Sequence, residues 1–222
     1  MASSIKELAG QLFAYRGWLL VALATALLCP LFLLGRAGPL DFWWWMAANQ
    51  VLLVAAAYGC DGGARLGLVN DLRMQMPRKI WIGLLTAVVL YGVFWLGNQI
   101  LHQFLPLAAG GLQAIHQLQG DASTLRAALL IGLLFGPAEE LVWRGAIQRA
   151  FVERYGAARG LCVTTLFYAV AHIASANPLL LLAALVCGLF WGWLFQRTGS
   201  VLLVAVSHAA WSLAVFILLP LR

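Results

Sequence analysis

Two glutamates, Glu139 and Glu140, stand side by side in Gly136-Pro137-Ala138-Glu139-Glu140-Leu141-Val142-Trp143-Arg144-Gly145, within a stretch that otherwise reads as apolar helix. A charged side chain at mid-bilayer costs about 2.5–3.5 kcal/mol on insertion scales. Two adjacent acids with an arginine one turn later therefore need a reason, and reaction chemistry is the first to consider. Glu140 and Arg144 are i,i+4 neighbours on one helical face and can pair. Glu139 is turned about 100° away and must find its partner on another helix. Pro137 lacks a backbone donor and predicts a kink that opens room beside the acids.

Two further constellations fall in later apolar segments. Tyr168-x-x-x-His172 places a phenol and an imidazole on one helical face, and His208-x-x-x-Ser212 does the same for an imidazole and a hydroxyl. One intramembrane histidine is more often a hydrogen-bonded packing residue than a catalyst. Two on separate helices, beside a carboxylate pair on a third, form the set that a water-activating hydrolase requires. That set is a general base, imidazoles to bind a metal or polarise the water, and a donor for the developing oxyanion. Glu139, His172 and His208 would also suffice as ligands for a catalytic zinc or another divalent metal with an open position. The competing structural reading makes Glu140 and Arg144 a buried pair that only fixes helix packing, and it leaves Glu139 without a partner on its own helix.

These residues need membrane-spanning elements to position them. Of the 222 residues 63% are hydrophobic and only 10% are charged, a balance outside the range of soluble domains. Seven segments approach the roughly 20 apolar residues that span a bilayer: 17–35, 41–60, 80–101, 125–151, 158–175, 178–196 and 200–219. The expected fold is an all-α polytopic membrane helix bundle forming a single integral domain over 1–222, with no internal repeat and no low-complexity linker. The first segment is too long for a signal-peptide core and is followed by no Ala-x-Ala site, so it is read as a retained helix.

The net charge of +6 is a topology signal rather than a nucleic-acid footprint. Lys6 and Arg16, then Arg65, Arg73, Arg78 and Lys79, then Arg149, Arg154 and Arg159, then Arg197 fall in alternate loops. Only Arg36, Arg126 and Arg222 fall on the other side. The positive-inside rule places the N-terminus in the cytoplasm and the C-terminus outside. Trp43-Trp44-Trp45 reads as an interfacial aromatic belt. Residues 61–79 read as a cytoplasmic loop, either irregular or with a short amphipathic piece on the membrane surface, and His102 and His116 as solvated loop histidines. Cys29, Cys60, Cys162 and Cys187 lack Cys-x-x-Cys spacing and are assigned to core packing.

The order Glu139-Glu140-x-x-x-Arg144, Tyr168-x-x-x-His172, His208-x-x-x-Ser212 resembles the CPBP or Abi family of intramembrane proteases, over roughly residues 125–219. That family includes the CAAX prenyl endopeptidases and bacterial relatives linked to bacteriocin processing or self-immunity. Its pattern is Glu-Glu-x-x-x-Arg, Phe-x-x-x-His and His-x-x-x-Asn. The resemblance implies an endopeptidase in which Glu139 activates water, Glu140 supports it, and His172 and His208 position the water or a metal. It implies a peptide or protein substrate at the membrane, prenylated in the CAAX branch, and a multi-pass protein, in the inner membrane for the bacterial relatives. Two departures stand out: Tyr168 replaces phenylalanine, and Ser212 replaces the asparagine that serves as oxyanion donor. A serine hydroxyl donates one bond at shorter reach, so oxyanion stabilisation is expected to be weaker or supplied elsewhere. Two other classes compete: a non-proteolytic immunity or scaffold module, and a proton-coupled transporter with Glu139 and His172 as relay. Against transport stands the lack of an inverted repeat or paired broken helices.

Overall fold

The computed structural model describes residues 15–59, 61–104 and 122–221, in which helices follow one another with short connections. Helix α1 is Arg16–Leu34 and ends at Gly35, whose φ of 68° lets its N–H reach the Leu31 carbonyl. A two-residue hairpin, Arg36–Ala37 against Leu40–Asp41, turns the chain into α2, Phe42–Gly59. Asp41 accepts from the Trp44 backbone N–H and pairs with Arg126, and these contacts hold its carboxyl below the usual range. Helix α3, Gly62–Arg73, starts on an Asp61 cap and is bent by 109° from α2. Helix α4 is Met76–Phe104.

Helix α5 runs unbroken from Thr124 to Tyr155 but changes gauge. The α-helical stretches Thr124–Leu130, Gly136–Glu140 and Arg149–Tyr155 alternate with π-helical stretches Ile131–Phe135 and Leu141–Gln148. The irregularity expected at Pro137 thus takes the form of widened turns on either side of the two acids. Such bulges cluster at functional sites, because an extra residue per turn re-aims the side chains that follow. Gly156, at φ 82°, ends α5 and starts α6, Ala157–Val170. A short 3-10 turn at Ile173–Ser175 and an Asn177 cap lead to α7, Pro178–Thr198. Gly199 and a Ser200 cap then lead to α8, Val201–Leu213, which runs on into a π-helical turn, Ala214–Leu218.

The all-α membrane bundle is as expected; the count of seven spans is not confirmed. Among the described residues five helices are long and apolar enough to cross on their own: Arg16–Leu34, Met76–Ile100, Ala157–Ser175, Pro178–Thr198 and Val201–Leu218. The bent pair α2–α3 makes a sixth if it counts as one span. The expected 125–151 segment is helical, yet it is not among the five. It carries Glu139, Glu140 and Arg144, and its segments pack against α1, α2, α3, α6, α7 and α8. A helix lined on most sides by protein has less need of an apolar surface.

Small residues let the neighbours close on α5. A Cβ on Gly136 would meet the Ala209 backbone nitrogen at 3.0 Å, so α8 lies against α5 beside His208. On α7, the carbonyls of Gly188 and Gly192 accept from the side chains of Arg144 and Gln148 at 3.4 and 2.8 Å. Asp71 of α3 accepts from Lys79 at 2.6 Å and from the Leu202 N–H at 2.8 Å, which ties the start of α8 to the α3–α4 corner.

Candidate active site

The two adjacent acids have separate surroundings. Glu140 is fully buried; its Oε1 accepts from Arg144 Nη1 at 2.9 Å and lies 2.7 Å from His208 Nδ1. Arg144, also fully buried, lies against the rings of Tyr168 and Trp191, 4.8 and 5.7 Å from their centroids. The i,i+4 pairing read from the sequence is therefore present, and it orients an imidazole from α8 as well. Glu139 faces the other way, as its 100° rotation requires. Its Oε2 accepts from the Tyr168 hydroxyl at 2.8 Å and its Oε1 from Gln50 Nε2 at 3.3 Å.

Glu139, Tyr168, His172, His208 and Ser212 line one cavity of about 370 Å³ between the helices. His172, at the end of α6, offers its Nδ1 to the Tyr168 carbonyl at 2.8 Å. A carbonyl can only accept, so Nδ1 carries the proton and Nε2 is the acceptor in the neutral ring. His208 is fixed likewise: Nδ1 is engaged by Glu140, and the ring stacks on Trp191 with centroids 3.8 Å apart and planes at 19°. Carboxylate or carbonyl contacts of this kind orient imidazoles for work at the other nitrogen. Ser212 lies one turn beyond His208 and is buried at the cavity wall.

Among the described residues no three His, Cys, Asp or Glu side chains form a group able to hold an ion. Glu139, His172 and His208 share a cavity, but as placed they do not form a chelate, and no step below is routed through a metal.

Three residues that the sequence reading passed over, Gln50, Asn98 and Trp191, belong to this site, as does Trp43, which it assigned to the belt. Gln50 and Trp191 touch Glu139 and His208 directly, and Asn98 of α4 and Trp43 of α2 line the cavity. Trp43 departs from the belt expectation: it is 6% exposed and stacks on Phe135 at 5.8 Å, while Trp44 is 50% exposed. A triplet of indoles must point three ways on a helix, so only part of it can face lipid. The buried amides Asn49 and Gln50 were a readable signal, since amides inside an apolar span need internal partners. His116 lies outside the described residues, as does the side chain of His102. Cys187 is buried in the cavity wall, Cys29 is half-buried and Cys162 exposed, and each is a free thiol; Cys60 lies outside the described residues.

With this geometry in place, comparison with known families adds a likeness over part of the chain. Residues 121–214 match the family of type II CAAX prenyl endopeptidases, Rce1-like. This is the family to which the three motifs point. The Rce1-like segment holds every motif residue, and it leaves α1 to α4 outside although α2 and α4 supply cavity walls. Neither a curated protein nor a solved structure matches the chain. An Rce1-like segment implies a peptidase acting on a peptide at the membrane, and the apolar helices imply a multi-pass integral protein.

Proposed function

We propose that the chain is an intramembrane endopeptidase in which Glu139 is the general base. The observation that carries this reading is the Glu139 carboxylate at the cavity wall, held by two neutral donors, with two oriented imidazoles lining the same cavity. A water that donates one hydrogen to Glu139 and the other to the Nε2 of His172 or His208 gives the first proton to Glu139 as its oxygen attacks the peptide carbonyl carbon. The tetrahedral oxyanion is met by the Ser212 hydroxyl. Collapse breaks the C–N bond, and the proton held on Glu139 passes to the departing amine. Glu140 and Arg144 do not touch the substrate; they hold His208 in its tautomer. The remaining walls, with Phe32, Phe42, Phe94 and Phe216, are apolar and suit a hydrocarbon chain, which supports a lipidated peptide as substrate. A fluorogenic peptide ending in S-farnesyl-Cys-aliphatic-aliphatic-X, compared with its unprenylated counterpart, tests both points. Cleavage of neither peptide by the purified protein would count against this reading.

Ser212 supplies a graded test. Loss of a sole oxyanion donor costs about 10²–10³ in rate. With the hydroxyl as the donor, Ser212→Ala should lower kcat by about 10²-fold, and Ser212→Asn should raise it by offering an amide of longer reach. A loss of about tenfold or less in Ser212→Ala would show that another group serves the oxyanion.

The basic loops support a single domain in a plasma membrane, with the N-terminus in the cytoplasm and, if α2 and α5 both cross, the C-terminus outside. A reporter active only in the cytoplasm, fused after residue 222, should give no signal. A strong signal there removes the odd-numbered topology.

A further inference from the structure

From its place on α2, outside the Rce1-like segment, we infer that Gln50 is a positioning residue for the Glu139 carboxylate, so the site is completed by a helix that carries none of the family motifs. The inference rests on the reading of Glu139 as general base.

Helix α2 carries two adjacent buried amides, Asn49 and Gln50, 2% and 1% exposed. They do different things. Asn49 Nδ2 donates to the Leu27 carbonyl at 2.9 Å, a clamp between α1 and α2 with no link to the cavity. Gln50 Nε2 donates to Glu139 Oε1 at 3.3 Å, across 89 positions of sequence. The orientation of the amide follows from chemistry, since its carbonyl oxygen turned to an ionised carboxylate would set two acceptors face to face. Its Oε1 is buried and has no hydrogen-bond partner among the described residues. An apolar side chain would avoid leaving that oxygen unmet, so packing alone does not account for an amide at this position.

Tyr168 holds the other carboxylate oxygen. Together the two donors fix the plane of the carboxylate about its last side-chain torsion, which is otherwise broad and roughly two-fold. Each oxygen still keeps a lone pair for the water. A base held this way needs no reorientation as the proton arrives, and misplacement by about 1 Å can cost 10²-fold.

The test uses the full chain in detergent or vesicles with the farnesylated peptide. Gln50→Met keeps the length and apolar bulk of the side chain and removes the donor. The expected result is kcat lower by about 10- to 100-fold, with KM within about twofold and thermal stability close to wild type. Asn49→Leu, the neighbouring amide, should do the reverse: lower thermal stability with kcat retained in the folded protein. Tyr168→Phe should lower kcat without KM, and its combination with Gln50→Met should be non-additive because both act on one carboxylate. Wild-type kcat in Gln50→Met, with Glu139→Gln inactive, overturns the inference and leaves the base assignment standing. Full turnover in Glu139→Gln overturns both. A loss in Gln50→Met that tracks lost stability in equal measure also overturns it, by making Gln50 a packing residue.

Discussion

Glu139→Gln is expected to lower turnover of a membrane peptide by about 10²–10⁴, the share that general base catalysis contributes, while the protein accumulates and melts as the wild type does. The substitution is nearly isosteric. The new amide can still accept from Tyr168 through its oxygen, so the contact with α6 survives while the capacity to take a proton is gone. Its NH₂ group would then face the Gln50 amide, which can turn over to accept through the oxygen that now lacks a partner. The fold is thus served as well by glutamine as by glutamate at this position, and only the reaction needs the acid. His172→Ala and His208→Ala should also lower turnover by orders of magnitude in well-folded protein. Wild-type activity in both Glu139→Gln and His172→Ala would sink the protease reading and favour the non-proteolytic module.

Arg144→Ala should act on the fold. Both Arg144 and Glu140 are completely buried, and Arg144 also reaches the Gly188 carbonyl on α7. Removing the guanidinium leaves a carboxylate in low dielectric with His208 as its remaining neighbour, and breaking such a buried pair costs about 3–5 kcal/mol. Unfolding midpoints and accumulation in the membrane should both drop. Replacing Glu140 and Arg144 together by leucine should recover much of that stability, because an apolar pair of similar volume needs no desolvation. Activity should not return with it, since His208 Nδ1 then loses the acceptor that fixes its tautomer. Equal destabilisation by Glu139→Gln and Arg144→Ala would argue that all these charges serve packing.

The polar residues were legible for one reason: a bilayer penalises them, so each one retained in an apolar segment stands out. Glu139, Glu140, Arg144, His172 and His208 were all found this way, and the i,i+4 geometry of a helix was enough to pair Glu140 with Arg144 and to leave Glu139 facing elsewhere. The same rule applied to Asn49 and Gln50, but adjacent amides are uncharged and cheaper to bury than acids, so they carried a weaker signal. Trp191 carried none, because an indole in an apolar helix looks the same whether it stacks on a histidine or on a lipid tail. The segment count was read from hydropathy alone, which suits helices that face lipid. It describes α5 less well, since its neighbours are protein on most sides.

From the chain by itself came the all-α membrane character, the three motifs and the different facing of the two acids, because these follow from local composition and the helical repeat. Tertiary structure decided which helices meet. It brought α2 against α5 so that Gln50 reaches Glu139 across 89 positions, and it set Trp191 on His208 and made one cavity of residues from every helix but α3. The reason is that periodicity states which face of a helix is polar or small, while the partner of that face depends on how all the helices pack together, on glycine approaches such as Gly136 to Ala209, and on the widened turns of α5 that aim its side chains.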